Sequence, residues 1–198
     1  MTTLVLVRHA QSAPSPDLPE RDFPLSEVGC RQALELAPVL AELGADALAS
    51  SPYIRAVDTL RPYAEAAGLP IAVDEDLRER RLSGRWGDLA TEAEAHAAIR
   101  KMHADLDFCL EGGETGRACL ARFEAALARV VAANPGRTVA VGSHGGVLGH
   151  LLKLHEASLS GDFWRRIRNP HVFLFDARAG LRWTGERTLD GSTGVRDA

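Results

Sequence analysis

Short, unbroken apolar runs at residues 4–7, 138–141 and 172–175 alternate with longer stretches in which apolar side chains recur every three or four residues. The first kind predicts buried strands and the second amphipathic helices. Residues 45–49 and 71–73 predict shorter strands, and residues 181–184 an edge strand. A helix is predicted after Leu25-Ser26, where Ser26 offers an N-cap and Leu36, Leu40 and Leu43 mark the buried face up to Gly44. A second opens at Ser50-Ser51-Pro52, with Pro52 suited to its first turn, and follows Ile54, Val57, Leu60 and Ala64 to Gly68. Pro38 is expected to kink the first helix or cut its first turns loose, and Pro62 to kink the second. Residues 91–103, the stripe Leu120, Phe123, Leu127 and Val130, and residues 147–154 predict three more helices. The proline-rich residues 13–20, the arginine-rich residues 74–88, Gly112-Gly113 and Asn134-Pro135-Gly136 read as loops and turns, and the last few residues as frayed. Strands alternating with helices predict a three-layer α/β/α sandwich around a mostly parallel sheet.

Composition changes this picture little. With 198 residues, 45% of them hydrophobic, the chain is sized for one domain over 1–198. A net charge of -4 gives no general field for nucleic acid or anionic lipid, so any anion site must be local. No apolar run approaches the roughly 20 residues of a membrane span. No basic segment with an apolar core precedes the first strand, so no signal peptide is expected. Cys30, Cys109 and Cys119 lack paired spacing, which fits reduced thiols and a cytoplasmic protein better than a disulfide framework or zinc ribbon.

The candidate chemistry sits where the apolar runs stop. Residues 4–7 end in Arg8-His9, and Val139-Ala140-Val141 leads into Gly142-Ser143-His144-Gly145-Gly146. Ligands in open α/β sheets gather beyond the carboxyl ends of strands. An imidazole there can serve as nucleophile, base or ligand, and a guanidinium can hold an oxyanion in a fork of N–H donors. Gly145 and Gly146 open a helix whose bare amides favour an anion. Arg55 lies one turn into the helix after a weak strand, near the same edge. Two histidines and two arginines at one sheet edge make an anion pocket with a candidate nucleophile. Ser143 is not read as a hydrolase nucleophile, because Val141 stands where that elbow needs glycine.

Taken together, Leu6-Val7-Arg8-His9, Pro24-Leu25-Ser26-Glu27-Val28-Gly29, Ser51-Pro52-Tyr53-Ile54-Arg55-Ala56, Leu77-Arg78-Glu79, Gly112-Gly113-Glu114-Thr115 and Ser143-His144-Gly145-Gly146 resemble the histidine phosphatase superfamily, also called phosphoglycerate mutase-like. The resemblance implies that His9 carries a phosphoryl group, that Arg8, Arg55 and His144 grip its oxygens, and that Glu79 supplies a proton. It also implies chemistry with no cofactor and no metal. Ala10 stands where many members have glycine, and Ser15 where many have a phosphate-touching asparagine. Ser15 and Gly145 are carried as phosphate-binding candidates, and Gln11, Arg78 and Arg80 as substrate-binding candidates, with residues 80–113 a variable substrate-facing region. Glu75, Asp76 and Asp88 are alternative acids.

The reaction these groups suit is hydrolysis of phosphate monoesters, divided into two displacements. A neutral imidazole attacks through one nitrogen while the other donates to a backbone carbonyl. The alternatives are a phosphomutase, and a protein-phosphohistidine phosphatase or phospho-ligand binding regulator. The relatively short stretch between Glu79 and Gly112 favours hydrolysis. His150 and His155 read as packing or surface residues, and His96, His103 and His171 as surface or local hydrogen-bonding residues. Glu114 suits a helix N-terminus, and Arg122 either a helix surface or a brace for an acid. The partner implied is a small phosphorylated substrate; substrate identity and oligomeric state are not legible.

Overall fold

The computed structural model describes residues 2–84, 91–156, 158–159, 163–189 and 193–195. One sheet of seven strands runs in the order β3 (Ile71–Val73), β2 (Ala47–Ser50), β4 (Thr138–Ser143), β1 (Thr3–Arg8), β5 (His171–Asp176), β6 (Arg182–Thr188) and β7 (Thr193–Val195). The first four are mutually parallel, and β5 to β7 continue the sheet antiparallel.

Strand β1 lies inside the sheet, and its alternation divides the core. Leu4 and Leu6 pack with Phe123, Leu127, Val147 and Leu151, beneath α4 (Gly116–Ala133) and α5 (Gly145–His155). Val5 and Val7 pack with Leu36, Leu40 and Leu60, beneath α1 (Glu27–Glu42) and α2 (Ile54–Ala67). A strand sends successive side chains to opposite faces, so an apolar run of this kind requires a helix layer on each side. The three layers follow from that requirement. Among the described residues no helix is long and apolar enough to cross a membrane.

The helices form where the pattern predicts them, and the differences lie at Pro38 and Pro52. Ser26 caps α1, its hydroxyl accepting from the Gly29 amide at 3.0 Å. Both α1 and α2 are continuous through Pro38 and Pro62, each with fully buried anchors nearby: Leu36 and Leu40 in one, Leu60 in the other. Pro52 precedes α2 rather than sitting in its first turn, because the Ser51 amide prolongs the sheet by donating to Gly142 O at 2.9 Å. Strand β6 is longer than its pattern predicted and is not the edge, since β7 pairs with it.

Register positions the site. Arg8 pairs with Ser143, and Gly142 with Ser50, so β1, β4 and β2 deliver His9, His144 and Ser51 to one edge. The loop leaving β1 returns against the start of α1: the Ser26 amide donates to Gln11 O at 2.9 Å. A Cβ at Gly29 would stand 1.9 Å from that same oxygen. Gly29→Ala is therefore expected to lower stability by about 1–3 kcal/mol, the usual cost of overpacking. Urea unfolding checks this, and an unchanged midpoint would mean the loop does not rest on this helix.

Candidate active site

His9 is oriented by three main-chain contacts. Its amide donates to Ser143 O at 3.0 Å, and its own carbonyl accepts from Asn169 Nδ2 at 2.7 Å. Its Nδ1 lies 2.7 Å from Ala10 O. A carbonyl can only accept, so the proton belongs on Nδ1 and Nε2 keeps its lone pair. Arg55 Nε donates to that Nε2 at 3.1 Å. Burial, then Arg55, push the His9 imidazolium down to about 3, so the ring is neutral across the ordinary pH range.

His144 sits at the N-cap of α5, wholly buried, its ring centroid 5.2 Å from that of His9 and steeply inclined to it. Its Nε2 is 2.8 Å from Ser51 Oγ. Burial and then Arg55 hold its pKa well below the usual histidine value. Tyr53 closes this side, its ring 4.9 Å from the His144 ring and 4.8 Å beneath the Arg55 guanidinium. Burial, then Glu20, push its phenol up to about 12. Thr59 ties α2 to β1, donating to Arg55 O at 2.7 Å and accepting from Ala10 N at 2.8 Å.

Arg8 reaches past the helix start and donates to the Ile167 carbonyl. A Cβ at Gly145 would lie 2.8 Å from its Nε, so glycine there is what admits the guanidinium. Among the described residues, the buried Arg8 Nε and His144 Nδ1 have no hydrogen-bond partner. Unsatisfied buried polar atoms are costly, and two of them beside a nucleophile-type imidazole mark a place for a polar ligand.

Glu79 lies across the N-terminus of α5. Its Oε2 accepts from Gly146 N at 2.8 Å, and its Oε1 from Val147 N and Arg80 N, each at 2.8 Å. The Gly146 amide, expected to face an anion, is thus taken by this carboxylate together with the Val147 amide, and a Cβ at Gly146 would come 2.7 Å from Oε1. Arg122 resolves as a brace. It donates to the carbonyls of Asp76, Arg78 and Glu79 at 2.7, 2.9 and 3.0 Å, and grips both Glu114 oxygens at 2.7 Å. Burial opposes the Glu114 charge, but Arg122 outweighs it and leaves the carboxyl below its usual range. Ser143 Oγ donates to Leu77 O at 2.9 Å and so fastens the same turn.

Other candidates stand elsewhere. Arg80 is buried, and donates to the carbonyls of Met102, Phe108 and Glu114 and to His150 Nε2, so its guanidinium is turned into the scaffold. Arg78 is half-buried and engaged by Glu75 O and Asp76. The exposed Gln11 accepts from Ser26 Oγ at 2.8 Å, and Ser15 Oγ accepts from Asp17 N at 3.3 Å. Glu75 is exposed, and Asp76 pairs with Arg129 at 2.9 Å. Asp88 lies outside the described residues. Unforeseen from the sequence were Glu20, Ser51, Tyr53, Thr59 and Asn169.

Behind Arg80, His103 and His150 are also buried, not at the surface, with His103 stacked on Trp164 at 5.1 Å. Burial, then Arg80, lower His103 to about 4; burial, then His103, lower His150 to about 3. In both, the folded pKa lies below the unfolded one, so the unfolded chain binds protons first. Stability is full above about pH 6.5 and falls with acid, by up to about 1.4 kcal/mol per pH unit for each group. His103→Phe keeps the stacking and removes one titration. Its unfolding free energy should fall less steeply than that of the wild type between about pH 6 and 4.5. Parallel slopes in denaturant titrations would contradict the burial of this ring.

Comparison with known proteins identifies the family. Residues 4–181 match the family model of the histidine phosphatase superfamily (branch 1), and the chain belongs to that family. It is 36% identical over 172 residues to the bifunctional protein Rv2228c of Mycobacterium tuberculosis, covering 83% of this chain and 47% of that one. The chain therefore spans about half the length of the first curated relatives it matches. It is 31% identical over 172 residues to a metal-independent phosphoserine phosphatase of Arabidopsis thaliana, covering 81% and 72% of the two chains. The structure of mycobacterial glucosyl-3-phosphoglycerate phosphatase superposes with a TM-score of 0.74 at 26% identity, covering 99% and 98%.

Proposed function

We propose that the protein hydrolyses phosphate monoesters of small metabolites through a phosphohistidine on His9, without a metal. The observation that carries this reading is the Nε2 lone pair of a neutral, buried imidazole facing Arg55 Nε at 3.1 Å. The unpartnered Arg8 Nε and His144 Nδ1 support it, as does membership in the family. The relatives named for phosphoserine and glucosyl-3-phosphoglycerate both act on small phosphorylated compounds, which supports that substrate class. The cytoplasm is the proposed compartment, on the three free thiols Cys30, Cys109 and Cys119.

In the first step His9 Nε2 attacks phosphorus and the P–O bond to the leaving group breaks. Arg8, Arg55 and His144 meet the charge on the transferring group. Glu79 supplies the proton to the leaving oxygen. A carboxyl group offers about two lone pairs on each oxygen. Among the described residues, Oε1 has both engaged by amides, whereas Oε2 has one contact, so Oε2 is assigned the proton. In the second step water attacks phosphorus, Glu79 Oε2 takes its proton, the P–N bond breaks and phosphate leaves. His9 Nε2 regains its lone pair.

Purified protein should hydrolyse an aryl phosphate in the presence of chelator, and His9→Ala should cut kcat by on the order of 10³-fold or more with the fold intact. Full turnover by that variant would eliminate the nucleophile. Glu79→Gln should slow an alkyl phosphate by about 10²–10⁴-fold and an activated aryl phosphate far less, since only the poor leaving group needs the proton. Equal losses on both substrates would remove Glu79 from the role of acid.

A further inference from the structure

Arg55 uses two edges of its guanidinium, and only one of them faces His9. The group is planar, with one edge formed by Nη1 and Nη2 and another by Nε and Nη2. Nε donates to His9 Nε2 at 3.1 Å. Among the described residues the outer edge is held by Glu20: Nη1 donates to Glu20 O at 2.6 Å, and Nη2 to Glu20 Oε1 at 2.8 Å. The Arg55 side chain is 5% exposed and that of Glu20 26%. Glu20 opens a 3-10 turn, Glu20–Asp22, in the loop between β1 and α1, and Phe23, 2% exposed, anchors the end of that turn.

Nη2 carries two hydrogens. One is spent on Glu20; the other lies on the inner edge, parallel to the Nε–H. A phosphoryl group on His9 Nε2 meets these two donors side by side, the bidentate geometry in which arginine grips phosphate. Resting on the phosphohistidine reading above, we infer that Glu20 is a positioning residue for phosphoryl transfer. Its carbonyl and carboxylate oxygens clamp the outer edge of Arg55 and so aim the inner edge at the nucleophile. An arginine has many rotamers to lose, and a donor displaced by an ångström loses much of its effect on a transition state. The opposite role, a resident carboxylate competing with phosphate for Arg55, predicts effects of opposite sign.

The test compares wild type, Glu20→Gln, Glu20→Asp and Glu20→Ala in aryl phosphate turnover, vanadate inhibition and thermal melting. Gln keeps an acceptor at the same reach without the charge; Asp keeps the charge and loses the reach. Expected activities fall in the order wild type, Gln, then Asp and Ala. The last two should lose about tenfold or more in kcat, with vanadate inhibition weakened alongside and KM moved less. Glu20→Asp matching or exceeding Glu20→Gln, or tighter vanadate inhibition in any variant, overturns the inference. Should Glu20→Ala fail to fold, the order of Gln and Asp still decides. Turnover that survives His9→Ala overturns the phosphohistidine reading and this inference with it. A His9-dependent wild type with the Glu20 variants in another order overturns this inference alone.

Discussion

A single hydrogen bond, from His9 Nδ1 to Ala10 O at 2.7 Å, sets the chemistry open to the candidate site. It places the ring proton on the side away from Arg55 and leaves Nε2 with a lone pair for an electrophile. The bond works only if the main chain just beyond β1 is rigid. The His9 amide is therefore tied to β4, its carbonyl to Asn169, and the Ala10 amide to Thr59 of α2. Three elements distant in sequence hold two consecutive peptide units. Burial of the ring, then Arg55 and Arg8, keep the imidazole neutral, so orientation and protonation state support one another.

The second imidazole and the carboxylate are arranged around the start of α5. Glu79 caps this helix through the amides of Gly146 and Val147, and is itself held by Arg122 bonding to the carbonyls on either side of it. A helix N-terminus favours negative charge. The glycine pair has a steric reason as well as an electrostatic one: Gly145 leaves room for Arg8, and Gly146 for the Glu79 carboxylate. Arg80, the next residue, points the other way and gathers the carbonyls of Met102, Phe108 and Glu114. Neighbouring positions in one charged run thus serve the site and the scaffold separately.

What the sequence made legible was whatever local pattern controls. His9 and His144 stood out because each follows a buried apolar run, and parallel register then had to bring the two strand ends together. Ser26 as a cap and Gly68 as a helix end rest on chemistry within a few residues. Glu20, Ser51, Tyr53, Thr59 and Asn169 act through partners far along the chain, and no periodicity announces such contacts. Arg80 read as a substrate-binding candidate because it lies in an arginine-rich run beside Glu79; its burial depends on carbonyls supplied by the following helix and turn. Helices α1 and α2 run on through Pro38 and Pro62, where tertiary anchoring outweighs the loss of one backbone hydrogen bond. Strand β7 has too short a pattern to distinguish it from a frayed end.

The most direct test of the account is to incubate the protein with an aryl phosphate, quench it, and determine which atom carries a phosphoryl group, by peptide mapping and nitrogen-resolved NMR of the phosphopeptide. An acid-labile phosphoryl group on Nε2 of His9 is the predicted result. Phosphate bonded to Nδ1, to another residue, or to no residue during demonstrable turnover would contradict it.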